Sequence, residues 1–244
     1  MRSLAKIIIL ALLPVTMLSA DSGLDAANKL YESGKYTEAA AAYGAAINAG
    51  NAGAEAYYNL GNACFKDKKI GFAILNYEKA LTISPRDADI KYNLEFARNF
   101  VKDNAVEDSA GRFLNAVYRF LTLNELCALL AAAFYLLMGG LIFRLYRKDE
   151  LSYWLVSGAS VLFLLILLFS GARVLEYETN NPAIVVLLSV EAKSAPIDAT
   201  PAAFTLPEGK KVYILNTRQG WAEVLLKGEN IKGWVKQDSI AEIR

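Results

Sequence analysis

The sequence predicts a multidomain membrane protein with an all-α repeat array, an α-helical transmembrane hairpin and a small all-β barrel. Three observations predict it. The residues that follow the N-terminal segment repeat at an interval of 34 positions, two apolar runs in the middle carry no charge, and the C-terminal part alternates short β-branched runs with glycine-containing turns. With 55% hydrophobic residues and a mean hydropathy of +0.25, the chain is also more apolar than a soluble protein of 244 residues requires.

Residues 1–20 have the pattern of a secretory signal peptide. Arg2 and Lys6 precede the apolar run Ile7–Leu13, and small residues follow Pro14 as far as Ala20. This order of basic, apolar and small residues directs a chain out of the cytoplasm. An uncleaved signal anchor is the alternative, and it would export the following residues in the same way.

Residues 21–103 are predicted to form about two helical repeats and a capping helix, Ala88–Val101. An offset of 34 residues pairs similar residues, namely Asn28 with Asn62, Tyr31 with Phe65, Ala39 with Ala73, Tyr43 with Tyr77 and Ala46 with Ala80. This interval is the length of a tetratricopeptide repeat. The second copy resembles that family in its residues Tyr57, Leu60, Gly61, Ala73, Tyr77, Ala80 and Pro85, with Cys64 where a Tyr is usual. We expect the small residues Gly61 and Ala73 where the paired helices cross.

The resemblance implies that the first helix of each repeat lines a groove that binds other proteins or peptides. The residues predicted to face this partner-binding groove are Asn28, Tyr31, Tyr58, Asn62, Phe65, Lys66, Tyr92 and Phe96. The two amides can donate and accept hydrogen bonds with a partner's backbone. The basic partners of the carboxylate clamp found in some family members are missing, so recognition of chaperone C-termini is not expected. The alternative is that these aromatic side chains pack locally and bind nothing.

A transmembrane hairpin is predicted after a linker and interfacial helix at 104–122. The predicted spans are 123–144 and 151–172, because Leu126–Phe143 and Leu151–Ala172 carry no charged residue and each is long enough to cross roughly 30 Å of hydrocarbon.

The short loop between the two spans, 145–150, is expected to face the cytoplasm. Arg147 and Lys148 lie in it and Arg144 directly precedes it, and cytoplasmic loops concentrate basic residues. The signal peptide predicts the same orientation, which places both soluble parts on the periplasmic side of a bacterial inner membrane.

After a polar connector at 173–182, residues 183–244 are predicted to form a small barrel. The expected strands are Ala183–Val190, Lys211–Thr217, Trp221–Lys227 and Ile231–Val235. The order of Pro196, Gly209, Gly220-Trp221 and Gly233-Trp234 resembles bacterial SH3 domains, although Glu191-Ala192-Lys193 departs from that family's pattern. Both tryptophans are expected in the core rather than on a ligand platform.

The composition excludes several functional classes. Formal net charge is +1, from 26 basic and 25 acidic residues, so the chain lacks the basic footprint of a nucleic-acid-binding protein. It has no histidine, which removes histidine-dependent catalytic triads and histidine metal ligands. Its two cysteines are far apart, and no nucleotide-binding or nucleophile motif is present. We therefore expect no enzyme activity, no catalytic residue, no metal and no cofactor.

Taken together, the domain order resembles the BatE-type proteins of bacterial aerotolerance operons. The resemblance implies a non-catalytic scaffold whose partners include the membrane-bound von Willebrand A proteins of the same operon, with the lipid bilayer as its anchor. The alternative function is a cell-envelope protein that binds peptidoglycan or peptide through its SH3-like domain.

Overall fold

The computed structural model describes residues 21–101, 118 and 120–243. The predicted signal peptide and most of the predicted linker lie outside these residues. Within them the helices are α1 (Asp21–Glu32), α2 (Tyr36–Asn48), α3 (Ala54–Lys66), α4 (Ile70–Ile83), α5 (Ala88–Phe100), α6 (Leu123–Tyr146) and α7 (Glu150–Thr179). The strands are β1 (Asn181–Val185), β2 (Ser189–Lys193), β3 (Ala202–Pro207), β4 (Lys211–Arg218), β5 (Trp221–Leu226), β6 (Ile231–Lys236) and β7 (Ile240–Glu242).

Helices α1 to α5 pack as consecutive antiparallel neighbours and form the helical array. Small residues let the helices approach closely, as the sequence predicts. Ala73 is fully buried, and a Cβ on Gly61 would lie 2.6 Å from the ring of Tyr77, a distance that real Cβ contacts do not reach. Alanine or glycine at these two positions is therefore a packing requirement.

The repeat also appears in the hydrogen bonds. The Tyr43 hydroxyl donates to Asn28 Oδ1 at 2.5 Å, and 34 residues later the Tyr77 hydroxyl donates to Asn62 Oδ1 at 2.7 Å. Each bond joins the two helices of one pair, α1 to α2 and α3 to α4. A buried phenol needs a polar partner, and the asparagine provides it in both copies.

Helices α6 and α7 form an antiparallel hairpin that is long and apolar enough to cross a membrane, by length and composition. The Thr122 hydroxyl accepts from the Glu125 amide and the Glu125 carboxylate accepts from the Thr122 amide, which is the predicted capping box. Where the helices meet, a Cβ on Gly140 would lie 3.5 Å from Val156. Their outward faces expose apolar side chains such as Leu136 and Leu165.

Helix α7 continues as far as Thr179, so most of the predicted connector at 173–182 is helical. At 1.5 Å per residue this helix is about 45 Å long and exceeds the hydrocarbon thickness. Neither proline nor glycine interrupts the helix between Gly171 and Thr179, and Pro182 lies beyond its end.

The C-terminal domain is one antiparallel sheet with the order β3-β2-β6-β5-β4-β1-β7. The predicted first strand is split, because Val186–Leu188 turn between β1 and β2. The sheet is open, with β3 and β7 as its edges, and its core holds valines such as Val212, Val224 and Val235. Trp221 is buried, as expected, and Trp234 is partly buried.

The β-domain packs directly on helix α4 of the array, a contact that no pattern in the sequence predicts. Ile184, Val186 and Ile243 belong to the same hydrophobic cluster as Ile74 and Leu75.

Two buried carboxylates strengthen this contact. Glu208 Oε1 accepts from the Gly71 amide at 2.6 Å and so caps the first turn of α4, where Lys69 provides no side-chain cap. Glu78, on the same helix, accepts from Arg98 of α5 and, at 2.9 Å, from Lys211 Nζ of β4. The α4 contact thus joins the helical array and the β-domain into one packed body.

Candidate partner-binding groove

A cavity of about 310 Å³ opens on the array and is lined by residues of α1, α3, α4 and α5. Its lining comprises Tyr31, Tyr58, Asn62, Phe65, Lys66, Tyr77, Asn93 and Phe96. The structure therefore brings six of the eight residues predicted for the groove together around one cavity. Two lining residues, Tyr77 and Asn93, were not among the predicted contacts.

An amide and phenol network occupies the centre of the groove. Asn93 Nδ2 donates to the Tyr58 hydroxyl at 2.8 Å and to Asn62 Oδ1 at 3.2 Å, and the Tyr77 hydroxyl also donates to Asn62 Oδ1. Asn62 Oδ1 thus already accepts two hydrogen bonds from within the chain. The expectation that Asn62 offers both donor and acceptor to a partner is corrected: what it has left is its Nδ2 group.

Asn28 and Tyr92 do not line the cavity. Asn28 is partly buried and its oxygen accepts from Tyr43, so its side chain ties α1 to α2. Tyr92 is 68% exposed and stacks on Phe96, with ring centroids 6.5 Å apart. It lies beside the groove, as part of an exposed surface of α5.

The apolar side of the groove is a connected aromatic cluster. Phe65 of α3 contacts Phe96 and Phe100 of α5, with both ring centroids 5.5 Å away. Phe96 and Phe100 remain 48% and 64% exposed, so this cluster presents ring surface to solvent while holding the two helices together. Such half-buried aromatic residues are typical anchors of protein interfaces.

Electrostatically, the groove is neutral except at one point. Lys66, an exposed side chain at the end of α3, is the only charged residue in the lining. Burial raises the pKa of the Tyr31 phenol and also that of Tyr77, with the neighbouring tyrosines adding to both shifts. Both phenols therefore stay protonated at physiological pH.

A larger cavity, of about 710 Å³, opens beside the loop between α6 and α7. Apolar side chains such as Leu141 and Ile142 line most of it, together with Arg144, Lys148 and Asp149. It holds none of the residues predicted for a site and lies at the loop end of the hairpin.

Within the described parts of the chain, no three cysteine and carboxylate side chains come together as a metal site would require. The buried carboxylates Glu78 and Glu208 are engaged in the α4 contact, so their chemistry here is structural.

Comparison with known proteins identifies the repeats. A family model described as tetratricopeptide repeat matches residues 54–87, and a second, described as TPR repeat, matches residues 27–68. These matches confirm the predicted repeats in α1 to α4 and account for about a quarter of the chain. Such repeats are typically non-catalytic interaction modules that bind other proteins. The comparison with curated proteins finds no match.

Proposed function

We propose that this protein is a non-catalytic, membrane-anchored scaffold that binds partner proteins through the groove on α1, α3 and α5. The tetratricopeptide repeats support an interaction role, and the groove itself carries the proposal. Its lining combines exposed aromatic surface with uncommitted hydrogen-bonding groups, and the β-domain packs on α4 without entering it. Phe96 also adjoins the exposed rings of Tyr92 and Phe100, and a contiguous exposed apolar patch of this kind is typical of an interaction surface.

The proposed anchor is the hairpin of α6 and α7, with both soluble parts on the outer face of a bacterial inner membrane. The contact between α4 and β1 supports a shared side, since the array precedes the hairpin and the β-domain follows it. The basic residues Arg144, Arg147 and Lys148 lie at the opposite end, which favours a cytoplasmic loop. The domain order supports a role in an aerotolerance or stress-related complex with von Willebrand A proteins as partners.

The alternative is an envelope-binding protein that acts through an SH3-like β-domain. The sheet is open, and this supports the SH3-like interpretation less than a closed barrel would. In addition, Trp221 is only 7% exposed and lies beneath the ammonium groups of Lys193 and Lys236, at 5.9 and 5.5 Å from its ring centroid. A buried ring of this kind offers little surface to a ligand.

Differential capture tests the proposed function. Tagged full-length protein is purified from detergent-solubilised membranes, and co-purifying proteins are quantified by mass spectrometry. Phe96→Ala removes exposed ring surface at the groove, and Leu188→Ala is the matched control, since Leu188 is 82% exposed on the β-domain. We expect partners to be depleted by Phe96→Ala and retained by Leu188→Ala. Capture lost only with Leu188→Ala, or retention on purified sacculi, would assign binding to the β-domain.

Cysteine accessibility tests the orientation. In a Cys127→Ser background, Asn99→Cys and Gly228→Cys are expected to react with an impermeant maleimide from outside the inner membrane, because both positions are exposed. Asp149→Cys is expected to react only after permeabilisation. Labelling of Asp149→Cys from outside would invert the proposed topology.

A further inference from the structure

The hydrogen-bonding groups at the centre of the groove match a peptide main chain. Asn62 Nδ2 and the hydrogen of the Tyr58 hydroxyl have no acceptor among the described residues, where Tyr58 only accepts, from Asn93 Nδ2. Asn93 commits both hydrogens of Nδ2 inside the chain, and its Oδ1 has no donor among the same residues. Two neutral donors and one neutral acceptor, side by side, suit the carbonyls and the N–H of an extended segment.

The charge of the groove is set by Lys66, which is exposed at its rim, while the central donors are neutral. No carboxylate belongs to the lining, so nothing in it compensates the Lys66 ammonium group. Charge complementarity with Lys66 therefore favours a ligand that places a negatively charged group, and not a neutral or positive one, at this rim.

The third element is the aromatic cluster of Phe65, Phe96 and Phe100, next to the polar centre. Phe65 is partly buried and fixed between helices, while the other two rings are about half exposed. A cavity of about 310 Å³ accommodates one large apolar side chain and the adjoining main chain, not a folded element. The groove thus has separate places for a main chain, an apolar side chain and one anion.

We propose that the groove selects an extended internal segment of a partner protein in which an Asp or Glu side chain lies close to an aromatic or large aliphatic one. This rests on the proposed function and gives the chemical class of its partner. The carboxylate belongs to a side chain rather than to a chain end. A terminal carboxylate at the main-chain position would meet only the neutral amide and phenol donors of the groove centre, whereas the cation lies at the rim.

Selection from a peptide array tests this. Full-length protein in detergent is incubated with random nonapeptides that are acetylated and amidated, so that no terminal charge is present. We expect wild-type protein to retain peptides enriched in Asp or Glu near Phe, Tyr, Trp or Leu. Lys66→Glu should shift the ratio of binding between Glu-containing peptides and their Lys analogues several-fold towards Lys, because it turns attraction of the acidic peptides into repulsion and does the reverse for the basic ones. Lys91→Glu, an exposed position on α5 outside the lining, is the matched control.

The outcomes separate this inference from the proposed function. Peptides retained without acidic enrichment, or an equal shift with Lys91→Glu, would overturn the inference and leave a peptide-binding groove in place. In a second array the peptides are acetylated but not amidated; retention of these alone would show that the carboxylate is a terminal one, which also overturns it. If the wild-type protein retains no nonapeptide in either form, the groove does not bind peptides, and the proposed function fails together with the inference.

Discussion

Gly71→Ala is expected to loosen the contact between α4 and the β-domain. A Cβ at this position would lie 2.7 Å from the Val185 carbonyl oxygen and 3.0 Å from Val186 Cα, both backbone atoms. It would also lie 2.8 Å from Glu208 Cγ, and so would push on the side chain that caps α4. Backbone atoms cannot turn aside as a flexible side chain can, so α4 and β1 must move apart.

Three contributions determine how much Gly71→Ala destabilises the contact between α4 and the β-domain. Overpacking of this kind costs about 1–3 kcal/mol. The displaced hydrogen bond between Gly71 and the Glu208 carboxylate contributes about 1.5–3 kcal/mol, the range for bonds to charged groups. Replacing glycine by alanine inside a helix stabilises the helix by about 1 kcal/mol, which offsets part of this loss. The net loss is therefore about 1.5–5 kcal/mol, which raises the population of the opened interface at least about tenfold.

Cys64 reports this opening. It is 6% exposed and belongs to the cluster that contains Ile74 of α4 and Ile184 of β1, so a thiol reagent reaches it only when the packing of this shared cluster opens. In a Cys127→Ser background, Gly71→Ala should label at least about tenfold faster than its parent. Gly44→Ala is the control: it is also a helical glycine, but a Cβ there meets nothing within 4 Å, so labelling should slow or stay unchanged. If both variants label alike, the array does not depend on the β-domain.

Three further predictions concern stability, measured by thermal or denaturant unfolding of the full chain in detergent. Ala73→Leu should destabilise by about 1–3 kcal/mol because Ala73 is fully buried, whereas Ala41→Leu on an exposed face should change little; equal effects would contradict the repeat assignment. Lys211→Met should cost about 1–2 kcal/mol, since it removes one of the cations that donate to the buried Glu78 carboxylate, and an unchanged midpoint would mean that the Lys211 contact does not stabilise the fold. Burial raises the pKa of the Cys64 thiol from 9.0 to about 11, so the stabilising effect of the neutral thiol is complete below pH 9 and is lost as the pH rises towards 11. Between pH 9 and pH 11 the free energy of unfolding of the wild type should therefore fall relative to that of Cys64→Ala. A constant difference would contradict the raised pKa of the Cys64 thiol.

The parts that follow from local spacing were predictable from the sequence. The 34-residue interval predicts the helix pairs of the array, and the apolar runs predict the two long helices. Most of the groove follows from the same interval, because residues such as Asn62 and Phe65 lie on the predicted first-helix face. Asn93 was missed because α5 fits the repeat poorly, with Glu95 where the second copy has Gly61. A signal existed, since Asn93 stands 34 residues after Asn59.

The contact between array and β-domain was not predictable in this way. Gly71 and Glu208 are 137 positions apart, and neither belongs to a pattern that periodicity detects. A glycine near the start of a helix and a glutamate in a turn are both common, so neither residue by itself indicates a contact with a distant part of the chain. Only the fold shows that Gly71 must lack a side chain because β1 passes there, and that Glu208 is buried because it caps α4. Asn28 is a similar case. The sequence predicts that its amide can bind a partner, but in the fold its Oδ1 accepts a hydrogen bond from the Tyr43 hydroxyl.

The contact on α4 also closes the chain into a ring, from the array through the hairpin and the β-domain back to the array. Arg86 adds a second tie, since it pairs with Glu125 at the start of α6 and covers the ring of Phe120, 5.1 Å from its centroid. If the hairpin is the membrane anchor, as proposed, a force applied at the groove is shared between its two helices instead of acting on one. Because the array contacts both the β-domain and the start of α6, a partner bound in the proposed groove would keep a fixed distance and orientation relative to the hairpin.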